Sequence, residues 1–409
     1  MTRRDIELMA PVGSFEALWA AIDGGADAIY FGVGGLNMRS RSSANFSPDD
    51  MSRIIAEAHA AGLRAYLTLN VILYDDDLDD MRRTLDRAAA EGVDAVIASD
   101  QAAIHYARRR GVEVHLSTQL NVSNTETLRF YSAWADVAVL ARELTLEQVA
   151  AISRAGVCGP CGQPVRIEMF AHGALCMAVS GRCYLSLHDC GESANRGACR
   201  QICRRSFTLR DNDSGAEIAA DGQWLLSPKD LCTIEFLDRM IAAGVSVLKI
   251  EGRARPPEYV LRACRCYDRA LRALEAGEYT PELAAGLKAE LAEVFNRGFW
   301  GGYYLGAPTV ELSPRYGTSA TTRKVYVGRV TNIYKRISVA EIQIEASPLE
   351  RGSRILFTGA TTRAVEAMAD ELWLDDRPAS LAPQGTLCSV KIAATVHRGD
   401  RLFKIVKAD

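Results

Sequence analysis

The chain has 409 residues, of which 48% are hydrophobic and 24% are charged, and its formal net charge is −3. A chain of this length is expected to form two or three domains with a large core, and it has no apolar run of about 18 residues that would predict a membrane helix. The small negative charge excludes a general attraction to nucleic acid, so RNA binding would need a local basic patch.

The N-terminal segment MTRRDIELMAPVGSFEALWAAIDGG has basic residues but lacks the uninterrupted apolar core of a signal peptide. We therefore expect a first strand and helix here, and a cytoplasmic protein. In the cytoplasm disulfides are rare, and clustered thiols more often bind metal or perform redox chemistry. The odd number of cysteines, eleven, also argues against a complete disulfide framework.

Short apolar runs alternate with amphipathic segments over the first 171 residues. Several amphipathic segments end in a glycine just before the next apolar run, as in AGLRAYLTLN and EGVDAVIASD, and this is typical of a helix C-cap. The predicted strands cover residues 6–12, 27–32, 64–70, 95–100, 113–118, 137–142, 166–171 and 245–252. The predicted helices cover residues 14–24, 48–61, 78–91, 101–110, 125–133, 146–155, 228–243 and 257–277.

Eight strand–helix units predict an α/β fold, a (β/α)8 barrel of the TIM type over residues 1–280. A doubly wound open sheet is the alternative. In the barrel, residues 172–227 become a Cys-rich insertion after the seventh strand. The insertion would lie at the carboxyl end of the strands, where barrel enzymes have their active sites.

After residue 280 the sequence pattern changes twice. Residues 281–322 contain a helical segment and the aromatic, glycine-rich NRGFWGGYYLG, and we interpret them as a connector. Residues 323–409 have the alternating pattern of short strands and predict a small C-terminal β-barrel. Such barrels commonly bind nucleic acid or protein, although a packing or oligomerisation domain fits the pattern equally well.

Six of the eleven cysteines are crowded into and just after the insertion: Cys176, Cys183, Cys190, Cys199, Cys203 and Cys232. Disulfides, zinc or an iron–sulfur cluster would explain this crowding. Zinc sites usually pair C-x2–4-C knuckles, and only Cys199 and Cys203 have that spacing. Four soft thiolates suit an iron–sulfur cluster. A separate pair, Cys158 and Cys161, has redox spacing but precedes the seventh strand, so we expect loop cysteines at the opposite end of the barrel.

Four motifs resemble the peptidase U32 family: EMFAHGALCMAVSGRC, GESANRGACRQIC, LLSPKDLC and VSVLKIEGRARPPEYV. The similarity extends from residue 5 to about residue 306, and the C-terminal strands resemble the tail domain of family members of this size. The family name records a collagenase-like protease activity. Its better understood members resemble oxygen-independent or prephenate-dependent hydroxylation factors with a [4Fe–4S] cluster.

The resemblance implies cluster ligands at Cys176, Cys183, Cys199 and Cys203, with Cys232 as the competing fourth ligand. It also implies an RNA substrate. Some family members convert the wobble uridine of tRNA to 5-hydroxyuridine, and others hydroxylate a cytidine of 23S rRNA. Shorter relatives that act in ubiquinone synthesis lack the tail, so the tail favours RNA. Prephenate would be the anionic cosubstrate.

Barrel enzymes place functional side chains at the ends of strands. The catalytic candidates on this rule are His172, Glu251 and Arg253. Glu168 is a further candidate inside the seventh strand, where alternate side chains point inward. The candidates for substrate binding are Arg39, Asn70, Gln119, Arg142 and Lys229. The arginines could clamp a carboxylate or phosphate, or form ordinary ion pairs at the rim. His172 could move a proton near the cluster, or could support the loop.

Two basic runs could contact phosphates or be ordinary solvated faces. They are Arg196, Arg200, Arg204, Arg205 and Arg210 in the insertion, and Arg323, Lys324, Arg329, Lys335 and Arg336 in the tail. Protease motifs of the G-x-S-x-G and H-E-x-x-H types are absent from the sequence. We therefore expect RNA hydroxylation, most specifically at the tRNA wobble uridine, with a U32-type peptidase as the alternative and a zinc-stabilised scaffold as the third.

Overall fold

The computed structural model describes residues 2–41, 45–205, 207–218, 226–359 and 362–408. The first twelve strands are β1 (Glu7–Pro11), β2 (Ala28–Phe31), β3 (Arg64–Leu69), β4 (Ala95–Ala98), β5 (Glu113–Leu116), β6 (Val137–Val139), β7 (Arg166–Gly173), β8 (Leu209–Arg210), β9 (Glu217–Ile218), β10 (Asp230–Cys232), β11 (Val245–Ile250) and β12 (Phe299–Trp300). The helices are α1 (Phe15–Asp23), α2 (Met51–Ala60), α3 (Leu78–Ala90), α4 (Gln101–Arg109), α5 (Thr125–Ser132), α6 (Leu146–Arg154), α7 (Leu185–Cys190), α8 (Leu237–Ala242), α9 (Pro257–Ala276) and α10 (Pro281–Ala292).

Strands β1 to β7 and β11 form a closed parallel barrel. Each strand pairs with the next, and β11 closes the ring by pairing with both β7 and β1. The predicted barrel is therefore confirmed, with all eight predicted strands present and their ends within three residues of the prediction. The strands are buried almost throughout, because helices cover them outside and side chains fill the barrel inside. The predicted capping glycines Gly62 and Gly92 adopt φ values of 79° and 80°, a left-handed conformation that glycine adopts without strain.

One predicted helix is wrong at its start. The helix predicted over 228–243 begins only at Leu237, because Asp230–Cys232 forms β10 instead. This short strand runs antiparallel to the end of β7, and Leu231 pairs with Gly173. Strand β12 continues the sheet on the other side of β10. Both ends of the insertion are therefore held in the sheet.

The tail forms a second sheet with a core of its own. Its strands are β13 (Thr322–Tyr334), β14 (Val339–Ile344), β15 (Leu349–Glu350), β16 (Arg354–Thr358), β17 (Val365–Met368), β18 (Leu372–Leu374), β19 (Arg377–Pro378), β20 (Leu381–Ala382), β21 (Leu387–Lys391) and β22 (Arg401–Lys407). Eight of them form one antiparallel sheet in the order β17-β16-β22-β13-β14-β21-β18-β19, and β15 pairs with β20. Among the described residues the two edge strands of the large sheet do not pair with each other, so the domain is a half-barrel.

The half-barrel packs directly on the barrel. Leu356 is buried in the core of the barrel domain, and Phe403 packs against that core. Ion pairs surround this contact, including Arg262 with Glu366 at 2.8 Å. Helix α10, in the segment interpreted as a connector, packs on α9. None of the helices formed by the described residues is both long and apolar enough to cross a membrane.

Candidate active site at the carboxyl end of the barrel

A cavity of about 530 Å³ opens at the carboxyl end of the barrel strands, between the strand ends and the insertion. Eight cationic side chains line it, and Glu251 is its one lining carboxylate among the described residues. Behind the wall, Glu168 pairs with one of these cations and Asp230 with two, so the excess of positive charge is smaller than the lining alone suggests. The eight are Arg39, Arg142, Arg182, Arg204, Lys249, Arg253, Arg255 and Arg297. Such a lining favours an anionic ligand.

Four thiols line the same cavity: Cys176, Cys183, Cys199 and Cys203. Burial raises the pKa of Cys203; Arg204 opposes this, and the other three thiols add to it. The other three thiols are therefore close enough to Cys203 to influence its ionisation. The backbone N–H of Leu185 donates to the sulfur of Cys183 at 3.4 Å.

The two remaining cysteines of the crowded stretch lie elsewhere. Cys232 is 3% exposed, is absent from the cavity wall, and has its pKa raised to about 11 by burial. Cys190 is exposed and donates to the carbonyl of Ser186 at 3.0 Å. The structure thus brings together the four predicted ligands and leaves the alternative, Cys232, in the packed interior.

The spacing of the thiols bears on what they could hold. No three His, Cys, Asp or Glu side chains in the described part of the chain lie close enough to bind one metal ion. A single zinc ion would draw four sulfurs to within about 4 Å of each other. A [4Fe–4S] cluster takes one thiolate at each of four irons, so its ligands stand farther apart. Four cysteines around one cavity fit that donor set.

Glu251 organises one wall of the cavity. Its Oε1 accepts from Arg39 Nη2 at 2.9 Å, and its Oε2 accepts from the backbone N–H of Ala174 at 3.2 Å. Burial alone would raise the pKa of Glu251, but Arg39 and Arg255 outweigh burial and lower it. Glu251 is therefore a charged anchor that ties the start of the insertion to the barrel.

Two buried arginines, Arg142 and Arg253, line the cavity without a carboxylate partner among the described residues. Arg253 is 7% exposed and donates to Asn37 Oδ1 and Thr68 Oγ1, and burial lowers its pKa to about 10. Arg142 is 8% exposed, donates weakly to the carbonyl of Ala178, and has an Nε without a partner. Among the described residues neither forms a salt bridge. Buried guanidinium groups of this kind have donors available for a bound anion.

The amide candidates also reach the cavity. Asn70 accepts from the backbone N–H of Met38 at 3.2 Å and donates to Gln119 Oε1 at 3.4 Å. Both amides line the cavity, and the carbonyl of Gln119 accepts from Arg182 of the insertion at 3.2 Å. Their side chains can present both donors and acceptors to a polar ligand.

Glu168 and Lys249 form a buried pair below the cavity. Glu168 is fully buried, and its Oε1 accepts from Lys249 Nζ at 2.7 Å. Only Lys249 lines the cavity, 4.6 Å from the ring centre of Tyr30. Sequence reasoning missed Lys249, although a lone cation inside the apolar strand VSVLKIEG was a usable signal.

Three predicted site residues do not reach the cavity: Glu168, which is buried below it, His172 and Lys229. His172 lies among the rings of Tyr259, Tyr267 and Phe299, with ring centres 5.5 to 5.8 Å away. Burial lowers its pKa to about 3, so its ring is neutral at neutral pH. This placement favours support of the loop over proton transfer. Lys229 lies outside the cavity, where its Nζ contacts Glu311 Oε2 at 2.7 Å.

Five of the ten residues in the two basic runs form ion pairs with described acids. In the insertion, Arg196 binds Asp77 through two hydrogen bonds. Arg200 contacts Glu192, and Arg205 contacts Asp189 at 3.1 Å. In the tail, Lys324 and Arg329 contact Glu258 and Glu345. Exposed pairs of this kind contribute little to stability and can exchange for phosphates.

The pair Cys158 and Cys161 is exposed in a hairpin at the amino end of β7, away from the cavity.

The fold and this site define a (β/α)8-barrel protein with a cationic cavity rich in thiols. Residues 13–314 match the family model described as peptidase family U32, and the chain belongs to this family. A protein named collagenase from Porphyromonas gingivalis is 51% identical over the full length of both chains. A tRNA hydroxylation protein of Bacillus subtilis is 30% identical, over 90% of this chain and 87% of its own. A 23S rRNA 5-hydroxycytidine synthase of Escherichia coli is 38% identical, over 66% of this chain and 40% of its own.

Proposed function

We propose that this protein is an iron–sulfur enzyme that hydroxylates a base of RNA, with the wobble uridine of tRNA as the first candidate and a cytidine of 23S rRNA as the second. The observation that carries the proposal is the meeting of four thiols and eight cationic side chains around one cavity. Relatives named for hydroxylation of both kinds of RNA support it.

The cluster would be held by Cys176, Cys183, Cys199 and Cys203. When bound, a [4Fe–4S] cluster supplies one-electron chemistry at the cavity wall. The protein's own contribution is to hold the four loop segments in place. Arg204 contributes to this, since it donates to the carbonyls of Leu175 at 2.7 Å and Pro228 at 2.8 Å.

An anionic cosubstrate would occupy the cationic part of the cavity. Replacing a C–H bond of a base by C–OH requires an oxygen atom and a two-electron oxidant, so a second reactant is needed beside the RNA. Prephenate, which the family resemblance implies, carries two carboxylates. Arg142 and Arg253 have free donors and could each bind one of them.

A peptidase is the second candidate, because the 51% identical relative is named collagenase. Cysteine peptidases need a histidine beside the nucleophilic thiol. Cys176 lines the cavity, whereas the His172 ring is enclosed by aromatic rings and does not. The other histidine of the barrel interior, His115, contacts Glu113 and Glu168. The described residues therefore offer no Cys–His pair in the cavity, which favours the hydroxylase.

Nucleoside analysis of RNA from a deletion strain tests the proposal. We expect loss of a hydroxylated nucleoside, with the affected RNA class separating tRNA from rRNA. Wild-type protein and Cys158→Ser, which changes an exposed thiol at the other end of the barrel, should restore the nucleoside, and Cys176→Ser should not. Unchanged nucleosides in both tRNA and rRNA would reject the proposal. Release of peptides from gelatin by the purified wild type, abolished by Cys176→Ser, would instead establish the peptidase.

A further inference from the structure

Large apolar side chains are exposed on the insertion and on the loop after β3, and two of them, Met177 and Tyr184, also line the cavity. Of the fourteen exposed large hydrophobic side chains in the described part of the chain, six lie on the insertion or on the loop after β3. We call these six the mouth patch: Ile72, Tyr74, Met177, Val179, Tyr184 and Leu187. Exposing this much apolar surface to water is unfavourable, and patches of this kind usually mark a binding site.

Tyr184 is the most prominent member. It is 74% exposed, the highest value among the large hydrophobic side chains described. It also lines the cavity, directly after Cys183. Its hydroxyl makes no hydrogen bond to any described residue. An aromatic ring at the entrance, uncovered and without a partner, is available to a ligand that enters the cavity.

The mouth patch is held in place by contacts between two loops. Asn195 accepts from the backbone N–H of Ile72 at 3.1 Å through its carbonyl, and from the backbone N–H of Cys183 at 3.2 Å through its side chain. Arg196 binds Asp77 and stacks 4.2 Å from the ring centre of Tyr74. The two exposed tyrosines thus project from a braced surface, which lowers the entropy cost of binding.

The charge around the patch selects the kind of occupant. Eight cations and one carboxylate line the cavity behind it. Arg182 stands at the entrance, is exposed, donates to the carbonyl of Gln119 at 3.2 Å, and forms no salt bridge with any described residue. An unpaired nucleotide offers the matching chemistry, because it joins a flat aromatic face to a phosphate. A base inside a duplex presents neither its face nor its reactive carbon to a pocket.

We propose that the mouth patch binds an unpaired loop of RNA and that Tyr184 stacks on the base that enters the cavity, with Arg182 at an adjacent phosphate. This inference rests on the proposed RNA substrate and identifies its class as single-stranded or flipped-out. Stacking tolerates any base. Tyr184 therefore positions the base, and the polar groups deeper in the cavity select it.

Binding of a fluorescent RNA tests the inference. The probe is an anticodon stem-loop with 2-aminopurine at the wobble position, and the comparison is the same strand in a full duplex. The proteins are the wild type, Tyr184→Ala and Tyr184→Phe. Phe130→Ala is the matched control, because Phe130 is 63% exposed on the outer helix α5. Iron content and melting temperature show whether each variant is intact.

We expect the wild type to quench the loop probe on binding and to bind the duplex weakly. Tyr184→Ala should weaken loop binding roughly 10- to 100-fold and lose the quenching, because one stacking contact is removed. Tyr184→Phe and Phe130→Ala should bind like the wild type. Equal binding of the loop by Tyr184→Ala, or equal binding of loop and duplex by the wild type, would overturn the inference.

Nucleoside analysis separates this inference from the proposed reaction. If the deletion strain loses a hydroxylated nucleoside and Tyr184→Ala restores it fully with unchanged affinity, the reaction stands and the role of Tyr184 is rejected. If the loop binds through Tyr184 but no nucleoside changes, the docking surface stands and the reaction is rejected. Failure of the wild type to bind either RNA rejects the mouth patch as an RNA surface.

Discussion

Lys249 Nζ donates to Glu168 Oε1 at 2.7 Å inside the barrel, where both side chains are at least 94% buried. The other carboxylate oxygen of Glu168 faces His115 Nδ1 at 3.7 Å, and His115 Nε2 faces Glu113 Oε1 at 3.2 Å. Burial would raise the pKa of Glu168, but Lys249 and His115 outweigh burial and lower it. A row of titratable side chains, Glu113, His115, Glu168 and Lys249, thus leads from the amino end of the barrel to the floor of the cavity.

Breaking the pair between Lys249 and Glu168 should be costly. Glu168→Gln leaves the ammonium group buried without its carboxylate, and we expect the free energy of unfolding to fall by about 3 kcal/mol. Lys249→Met should cost less, because His115 still contacts Glu168. The double variant should cost less than the sum of the two. Urea denaturation of the three variants measures the coupling.

A surface pair provides the control for that cycle. Lys391 and Glu371 are 3.1 Å apart and about half exposed. Their coupling should stay below about 1 kcal/mol, as is usual for exposed ion pairs. Equal coupling energies at the two sites would show that the barrel interior gives the Lys249 pair no special strength.

His172 should make the fold sensitive to acid. Burial lowers its pKa to about 3, and repulsion by Arg255 adds to this. The unfolded chain binds a proton here below about pH 6.5, whereas the native state does not, so stability is lost as the pH falls below that value. Between pH 8 and pH 5 the wild type should lose roughly 2 kcal/mol more stability than His172→Phe.

Denaturation curves at the two pH values, on protein treated with a chelator so that bound metal does not contribute, check this expectation. His105→Gln is the control, because His105 is exposed on α4. An identical loss of stability in the wild type and His172→Phe would contradict the neutral, buried state of His172.

The metal content of serine variants should separate the two candidates for the fourth ligand. Cys203 lines the cavity with the other three thiols, and Cys232 does not. Protein purified without oxygen should contain about four iron atoms and four sulfides per chain. Cys203→Ser should lose most of both, and Cys232→Ser should keep them. The reverse result would make Cys232 the ligand, and zinc in place of iron would reject the cluster.

The unpaired arginines should govern binding of the anionic cosubstrate. Charge-assisted hydrogen bonds are worth about 1.5 to 3 kcal/mol, so Arg142→Met and Arg253→Met should each weaken prephenate binding by roughly 10- to 100-fold. Titration calorimetry measures the affinity. Arg82→Met, which removes an exposed arginine of α3, should have no effect. Unchanged affinity in both cavity variants would place the anion elsewhere.

The sequence allowed the barrel to be predicted because its signals are local. Gly62 and Gly92 end their helices before a buried strand, and this unit repeats until eight strands are present. The position of the Cys-rich insertion followed from counting strands. The half-barrel was harder, since alternating strands do not reveal whether a small sheet closes on itself.

The misplaced site residues show where sequence reasoning ends. Glu168 and His172 lie in β7 and Lys229 directly precedes β10, yet none of the three side chains reaches the cavity. Which way a side chain turns at the end of a strand depends on its tertiary neighbours, here three aromatic rings for His172. Lys249 was overlooked because its position also depends on a tertiary neighbour: its carboxylate partner Glu168 lies 81 residues away in the chain.

The insertion leaves the barrel at Gly173 and returns at Leu231, and these two residues pair directly with each other. Its ends are thus fixed in neighbouring strands, while the four thiols lie beyond this junction. A loop closed in this way can lose or regain metal without opening the barrel below. If the proposed cluster is lost, we therefore expect the strand pairing of the barrel below the insertion to persist.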